Sequence, residues 1–157
     1  MKVQLYYTGK TTEEYLRTGE RIYEKRLQHY LPISFDVLPT VKGAGKMDAR
    51  QRTVAEGDLL LGRLSTDDRL ILLDEGGKQY GSVDFAAWLD HELQRPARRL
   101  IFVVGGAFGF SEAVYARADG KLSLSKMTFS HQMVRLFLTE QLYRAMTILR
   151  NEKYHNE

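Results

Sequence analysis

Two uninterrupted apolar runs, Leu70-Ile71-Leu72-Leu73 and Leu100-Ile101-Phe102-Val103-Val104, constrain this chain more than any other feature. Each is too short for a helix and carries no polar residue at alternate positions, so a strand built from it is apolar on both faces. Such strands belong inside parallel sheets covered by helices on both sides. Both runs lead into glycine: Asp74-Glu75-Gly76-Gly77-Lys78 follows the first and Gly105-Gly106-Ala107-Phe108-Gly109 the second. In open parallel sheets ligands sit outside the carboxyl ends of the strands, where both glycine segments are expected as loops.

The rest of the chain supplies the elements such a sheet needs. Val3, Leu5 and Tyr7 alternate with Gln4, Tyr6 and Thr8 as a first strand. Thr11 and Glu14 have the spacing of a capping box, which predicts a helix to about Tyr30, stopped by Pro32. Phe35, Val37 and Leu38 mark a second strand, and Asp48, after the loop from Lys42 to Lys46, caps a helix carrying Val54, Leu59, Leu60 and Leu61. Ser82 is placed to cap a helix through Trp88 and Leu93 that stops near Pro96, and Ser111 to cap another reaching about Ala118. The alternation is that of an α/β domain, and 157 residues are accommodated by one.

The C-terminal third is less regular. Leu122 and Leu124 alternate with Ser123 and Ser125, a polar bend follows at Ser125-Lys126-Met127-Thr128, and a helix capped by Ser130 runs to about Arg150. From Met133 to Leu149, 11 of 17 residues are apolar, more than a single stripe requires. One face packs on the sheet, and the remainder implies a second partner surface, most simply in a homodimer.

Several chemistries are disfavoured by composition. The chain has no cysteine, which removes thiolate zinc sites, disulfides and thiol nucleophiles and fits a reducing cytoplasm. No run approaches the ~18–20 apolar residues of a membrane span, and no secretory signal is expected. His29, His91 and His131 lack metal-ligand spacing, so no metal is expected, and no serine sits in a nucleophile elbow. The net charge of +3 leans toward an anionic partner without identifying one. Lys10, Arg17, Arg21 and Lys25 include a helical stripe, but the interleaved Glu13, Glu14, Glu20 and Glu24 favour a solvated face over a phosphate site. Lys42, Lys46, Arg50 and Arg52 form a second basic cluster with the same two readings. The segment at Gly105 is neither G-x-G-x-x-G nor a P-loop, and its pattern leaves a ligand loop and a structural turn both open. The tail from Lys153 to Glu157 is either a frayed end or a segment delivered to a neighbouring active site.

Four blocks carry a resemblance: ILLDEGGK (Ile71 to Lys78), FVVGGAFGFSEAVYARA (Phe102 to Ala118), LSLSKMTFSHQMVRLFLTEQLYRA (Leu122 to Ala145) and the closing YHNE (Tyr154 to Glu157). In order and spacing the chain resembles the RlmH family, the pseudouridine N3-methyltransferases of large-subunit ribosomal RNA in the SPOUT class. The resemblance implies one α/β domain over residues 1–157, with a SPOUT-type parallel sheet, helices on both faces and a C-terminal deep trefoil knot over about residues 70–157. It further implies S-adenosyl-L-methionine as cofactor, a cytoplasmic homodimer, and 23S rRNA in the ribosome or large subunit as partner. Carried onto this sequence, the cofactor-binding positions are Leu73, Gly105, Leu124, Ser125, Lys126, Met127, Thr128 and Phe129. The catalytic candidates are His155 as general base if the tail crosses a dimer, Arg144 as a cation oriented by Glu140, and Tyr154 as a stacking platform. The family pattern has proline after the double glycine, where this chain has Ala107. The competing reading on the same fold is a non-catalytic RNA- or ribosome-binding factor.

Overall fold

The two apolar runs occupy the middle of the sheet, as their two-sided hydrophobicity requires. The computed structural model describes residues 1–156. Its strands are β1 (Lys2–Thr8), β2 (Ile33–Leu38), β3 (Arg69–Lys78), β4 (Arg99–Val104) and β5 (Gly120–Leu122). All pairings are parallel, in the order β2-β1-β4-β3-β5. The helices are α1 (Glu14–Leu27), α2 (Ala49–Leu61), α3 (Ser82–Leu93), α4 (Glu112–Arg117) and α5 (Met133–Leu149).

Helices cover both faces. Val3, Leu5, Tyr7, Ile71, Leu100, Phe102 and Val104 meet Leu27 of α1, Phe85 and Leu89 of α3, and Leu138 and Leu142 of α5. Tyr6, Leu70, Leu72, Ile101 and Val103 meet Leu60 of α2 and Val114 of α4. The alternation in β1 therefore separates two dry faces, not a dry from a wet one, and every residue from Val3 to Tyr7 is buried. Gln4, buried among them, spends its amide on the Asp36 carboxylate at 2.7 Å and on the Leu5 carbonyl at 3.1 Å. Those bonds meet the need of a polar group taken from water.

Three local expectations give way to tertiary contacts. Thr11 does not cap α1, which starts at Glu14 behind Glu13 with no side-chain cap. Its hydroxyl points inward, donating to Glu20 at 2.9 Å and accepting from Arg135 at 3.0 Å. Ser82 is the first residue of α3 and not its cap, and its hydroxyl donates to Gln141 of α5 at 3.2 Å. The segment Asp74 to Lys78 is not a loop: β3 continues through it, and the register with β5 shifts between Leu73 and Lys78, both of which pair with Leu122. Asp48 and Ser111 do cap their helices, Asp48 in a reciprocal box with Gln51 at 2.8 and 3.1 Å. Ser130 does not cap α5, which starts at Met133 behind Gln132 with no side-chain cap; it heads the turn before the helix, accepting from the backbone of Gln132 at 3.2 Å.

Helix α5 lies between α1 and α3, so its apolar excess is largely consumed within the chain. Leu138, Leu142, Ala145 and Met146 are buried, Leu136 fits against Gly19 of α1, and the Tyr143 ring meets Tyr23 and Tyr30. Met133 and Phe137 remain exposed, beside Phe129, whose ring centroid lies 5.1 Å from that of Phe137. The basic stripe of α1 is a solvated face, with Arg17 and Arg21 sharing exposed Glu14 at 2.6 and 3.4 Å. Asn151, at φ 55, ends α5, and the N–H of Glu152 returns to the Thr147 carbonyl at 2.9 Å, the Schellman arrangement that folds the tail back. Among the described residues, no helix is long and apolar enough to cross a membrane.

Two carboxyls on α1, Glu20 and Glu24, are poorly solvated. Burial first, and then the charge of Glu20, push Glu24 up to about 7 against the opposing pull of Arg21. The folded chain thus binds a proton that the unfolded chain has released, and stability falls as pH rises from about 4.5 to about 7. Glu24→Gln should therefore raise the melting temperature at pH 8 and leave it nearly unchanged at pH 4. Thermal melts at the two pH values check this, and an equal gain at both would refute it.

Candidate active site

The carboxyl ends of β4 and β5 flank the middle of β3, with Leu73 paired to Val104 on one side and to Leu122 on the other. Leu73 to Glu75 of β3 and the segments after β4 and β5 converge on a cavity of ≈ 560 Å³, within the size range of small-molecule sites. Leu73, Gly105, Leu124, Ser125, Met127, Thr128 and Phe129 all line it. Lys126, expected among them, does not: it is exposed on the outside of the bend while its neighbours on either side face the cavity.

Local chemistry explains the shape of the bend. The Ser123 hydroxyl donates to the Ser125 carbonyl at 2.9 Å, and the Ser125 hydroxyl accepts the Met127 N–H at 2.9 Å. The serines thus satisfy backbone groups that no strand or helix partners. Leu124, Met127 and Phe129 are thereby free to give the wall an apolar surface. At Gly105 the need is a close approach, since a Cβ there would lie 3.0 Å from the Phe110 ring. That ring, also on the cavity wall, packs edge-to-face on Tyr115 at 5.9 Å. Ala107 stands exposed at the loop tip.

The wall also contains Asp74, Glu75, His131 and Val134, which sequence reasoning did not single out. Asp74 and Glu75 sit directly after Leu73 in a quoted block, so adjacency was the available signal. Burial and the nearby Arg135 and Arg52 cations push the His131 imidazole down, against the pull of Glu56, which favours its neutral form. Arg135, fully buried just behind this wall, was also missed.

A second cluster forms where the tail folds onto α5. Glu140 Oε1 accepts from Arg144 at 2.7 Å and from the Tyr154 hydroxyl at 2.9 Å. The Arg144 guanidinium lies 4.8 Å from the Tyr154 ring centroid and 3.0 Å, by its other nitrogen, from His155 Nδ1. Arginine has no acceptor, so it is the donor to Nδ1 of His155. Burial, Tyr23 and Glu140 push the Tyr154 phenol well up, so it remains a donor. His155, Arg144 and Tyr154 thus come together, but none of them lines the cavity. Glu157, the end of the closing motif, lies outside the described residues. Also among the described residues, no three or more metal-ligating side chains come together.

This pairing of a strand-end cavity with a folded-back tail can be compared with known proteins. A family model described as "Predicted SPOUT methyltransferase" matches residues 1–155. A protein of Christiangramia forsetii named ribosomal RNA large subunit methyltransferase H is 50% identical over 156 residues, covering 99% of both chains. Proteins of the same name from Parabacteroides distasonis and Cytophaga hutchinsonii are 48% and 49% identical, the first over 100% of both chains and the second over 99% of this chain and 100% of its own. The chain belongs to the RlmH family of SPOUT methyltransferases. In this RlmH-family chain the donor set is suited to an organic cofactor: apolar walls, exposed loop backbone and carboxylates, with no lysine or arginine on the cavity wall.

Proposed function

We propose that the chain transfers a methyl group from S-adenosyl-L-methionine to N3 of a pseudouridine in 23S rRNA, acting in the cytoplasm on the assembled ribosome or large subunit. The observation that carries this reading is the convergence of Leu73 to Glu75 within β3 and of the segments after β4 and β5 on one cavity of cofactor size in a chain of this family. In this reading residues 1–157 act as one domain, and the chain from about residue 70 onward forms a deep trefoil knot, supported by family membership and the placement of β5 beside β3.

S-adenosyl-L-methionine, when bound, supplies a methyl group already activated by the sulfonium charge. Leu73, Leu124 and Met127 offer the apolar contacts for its adenine, and the backbone around Gly105 and from Ser125 to Phe129 offers polar edges. The acceptor N3 must lose a proton, so groups that donate to its flanking carbonyls stabilise the charge that develops. Arg144 has that donor character, and it holds through Nδ1 the ring of His155, the proposed general base for the N3 proton where the tail crosses the dimer. Tyr154, braced by Glu140 and Tyr23 and with Arg144 against its ring, is the proposed stacking platform.

Because that cluster lies off the cavity of its own chain, a homodimer would complete the site, with the tail of one protomer serving the cavity of the other. The exposed apolar side chains Met127, Phe129, Met133 and Phe137 support such a seam. Labelled methyl transfer to ribosomes lacking the modification, followed by nucleoside mapping, tests the whole reading. One N3-methylpseudouridine per ribosome is expected, whereas no incorporation, with the protein still bound, would make it a non-catalytic ribosome-binding factor. Arg144→Ala and His155→Ala should each lower kcat by about 10²–10³-fold with calorimetric cofactor affinity kept within about twofold.

A further inference from the structure

Charge is unevenly distributed around the cavity. Its wall holds two carboxylates, Asp74 and Glu75, and no lysine or arginine, while its one imidazole, His131, is pushed toward the neutral form. Glu75 is exposed, but Asp74 is fixed from two sides. Its Oδ1 accepts the Gly76 N–H at 2.9 Å, and its Oδ2 accepts the Tyr115 hydroxyl. Tyr115 stands on α4 with its ring against Phe110, the residue that covers Gly105, so its position is tied to the cavity wall. Burial and Asp74 push its phenol up to about 12, which keeps the hydroxyl a donor at neutral pH. A carboxylate held by donors from two segments keeps a fixed place on the wall, so its charge stands at a set distance from whatever occupies the cavity.

We infer that Asp74 selects the cofactor by charge, favouring a sulfonium cation over the neutral thioether left after methyl transfer, and that Tyr115 is its positioning residue. The inference rests on the cofactor reading above and adds a basis for telling fresh cofactor from spent. S-adenosyl-L-homocysteine differs from S-adenosyl-L-methionine by one methyl and one positive charge, so packing contacts are nearly shared and the charge term is not. Specificity between them is the difference between two affinities, and Asp74 acts on that difference.

Calorimetry with both ligands tests this on the wild-type protein and on Asp74→Asn, Tyr115→Phe and Glu75→Gln. Asp74→Asn should weaken S-adenosyl-L-methionine about tenfold and S-adenosyl-L-homocysteine less than about twofold. Tyr115→Phe, which removes one exposed hydroxyl and keeps the ring packing, should shift the ratio in the same direction by a smaller factor, and Glu75→Gln should shift it less than Asp74→Asn. A ratio unchanged in Asp74→Asn, whether both affinities fall or neither does, overturns the inference while leaving the cofactor reading intact. A wild-type protein that binds neither ligand overturns the cofactor reading itself.

Discussion

Arg135→Met should lower the free energy of unfolding by about 3–5 kcal/mol. Arg135 is 0% exposed. Its Nη1 donates to the Gly9 carbonyl at 2.8 Å and to the Thr11 hydroxyl at 3.0 Å, and its Nη2 to the Thr8 carbonyl at 2.8 Å. The guanidinium carbon lies 5.1 Å from the Tyr7 ring centroid. Glu20 supplies the counter-charge through the same Thr11 hydroxyl, and burial pushes the Glu20 carboxyl up and the Arg135 guanidinium down. Methionine fills a similar length but donates nothing, so acceptors around Thr8 to Thr11 and a buried carboxyl lose their partner together. The connection from β1 to α1 would then be held to α5 mainly by Gln132, which accepts from Thr12 at 2.9 Å. Denaturant titration measures the loss, and adding Glu20→Gln should recover part of it by removing the stranded charge. A loss below about 1 kcal/mol would mean that the cluster holds nothing together.

That cluster also marks how far the sequence could be read. The sheet was legible because the two central runs are apolar at every position, a property only two covered faces can satisfy. Asp48 and Ser111 were legible because a cap depends on residues three positions away. Thr11 has the same local spacing, but its hydroxyl is claimed by Arg135, distant in sequence, and no local pattern carries that contact. The apolar excess of α5 was real, yet its first use is to sit between two helices of its own chain, with only a few side chains left exposed. Period and composition register how much apolar surface must be covered, not what covers it.

The site was legible to a similar depth. The bend at Ser125 stood out because a polar, hydroxyl-rich stretch interrupts the passage from strand to helix, and the structure places it on the cavity wall beside Leu73 and Gly105. Lys126 came in through the family pattern, and in the structure it is exposed and off the cavity wall while Ser125 and Met127 on either side line it. His155, Arg144 and Tyr154 could be proposed as a group only through the family pattern, because a chain end carries no periodicity. Their mutual contacts depend on the Asn151 reversal, which turns the tail toward Glu140.

Gly77→Ala should lower stability by about 3 kcal/mol and remove measurable cofactor binding in calorimetry. Glycine at this point reads in sequence as a loop residue, but its role is to let two backbones touch. A Cβ at Gly77 would lie 2.6 Å from the carbonyl carbon of Leu122, and 2.7 Å from the Leu122 nitrogen and the Lys121 carbonyl carbon. These are main-chain atoms, which no rotamer change can move aside, so β5 itself must shift. Only three residues long, β5 is held chiefly by its pairing with β3, and its last residue Leu122, with Ser123 to Ser125 immediately after it, lines the cavity. A displacement there reaches the site before it reaches the rest of the core. Gly45→Ala is the matched control: a Cβ at Gly45 has nothing within 4 Å, and its φ is not in the left-handed region. That change should be neutral or slightly stabilising with cofactor affinity intact. If Gly77→Ala binds S-adenosyl-L-methionine as the wild type does, the close approach of β3 to β5 is not what shapes the cavity.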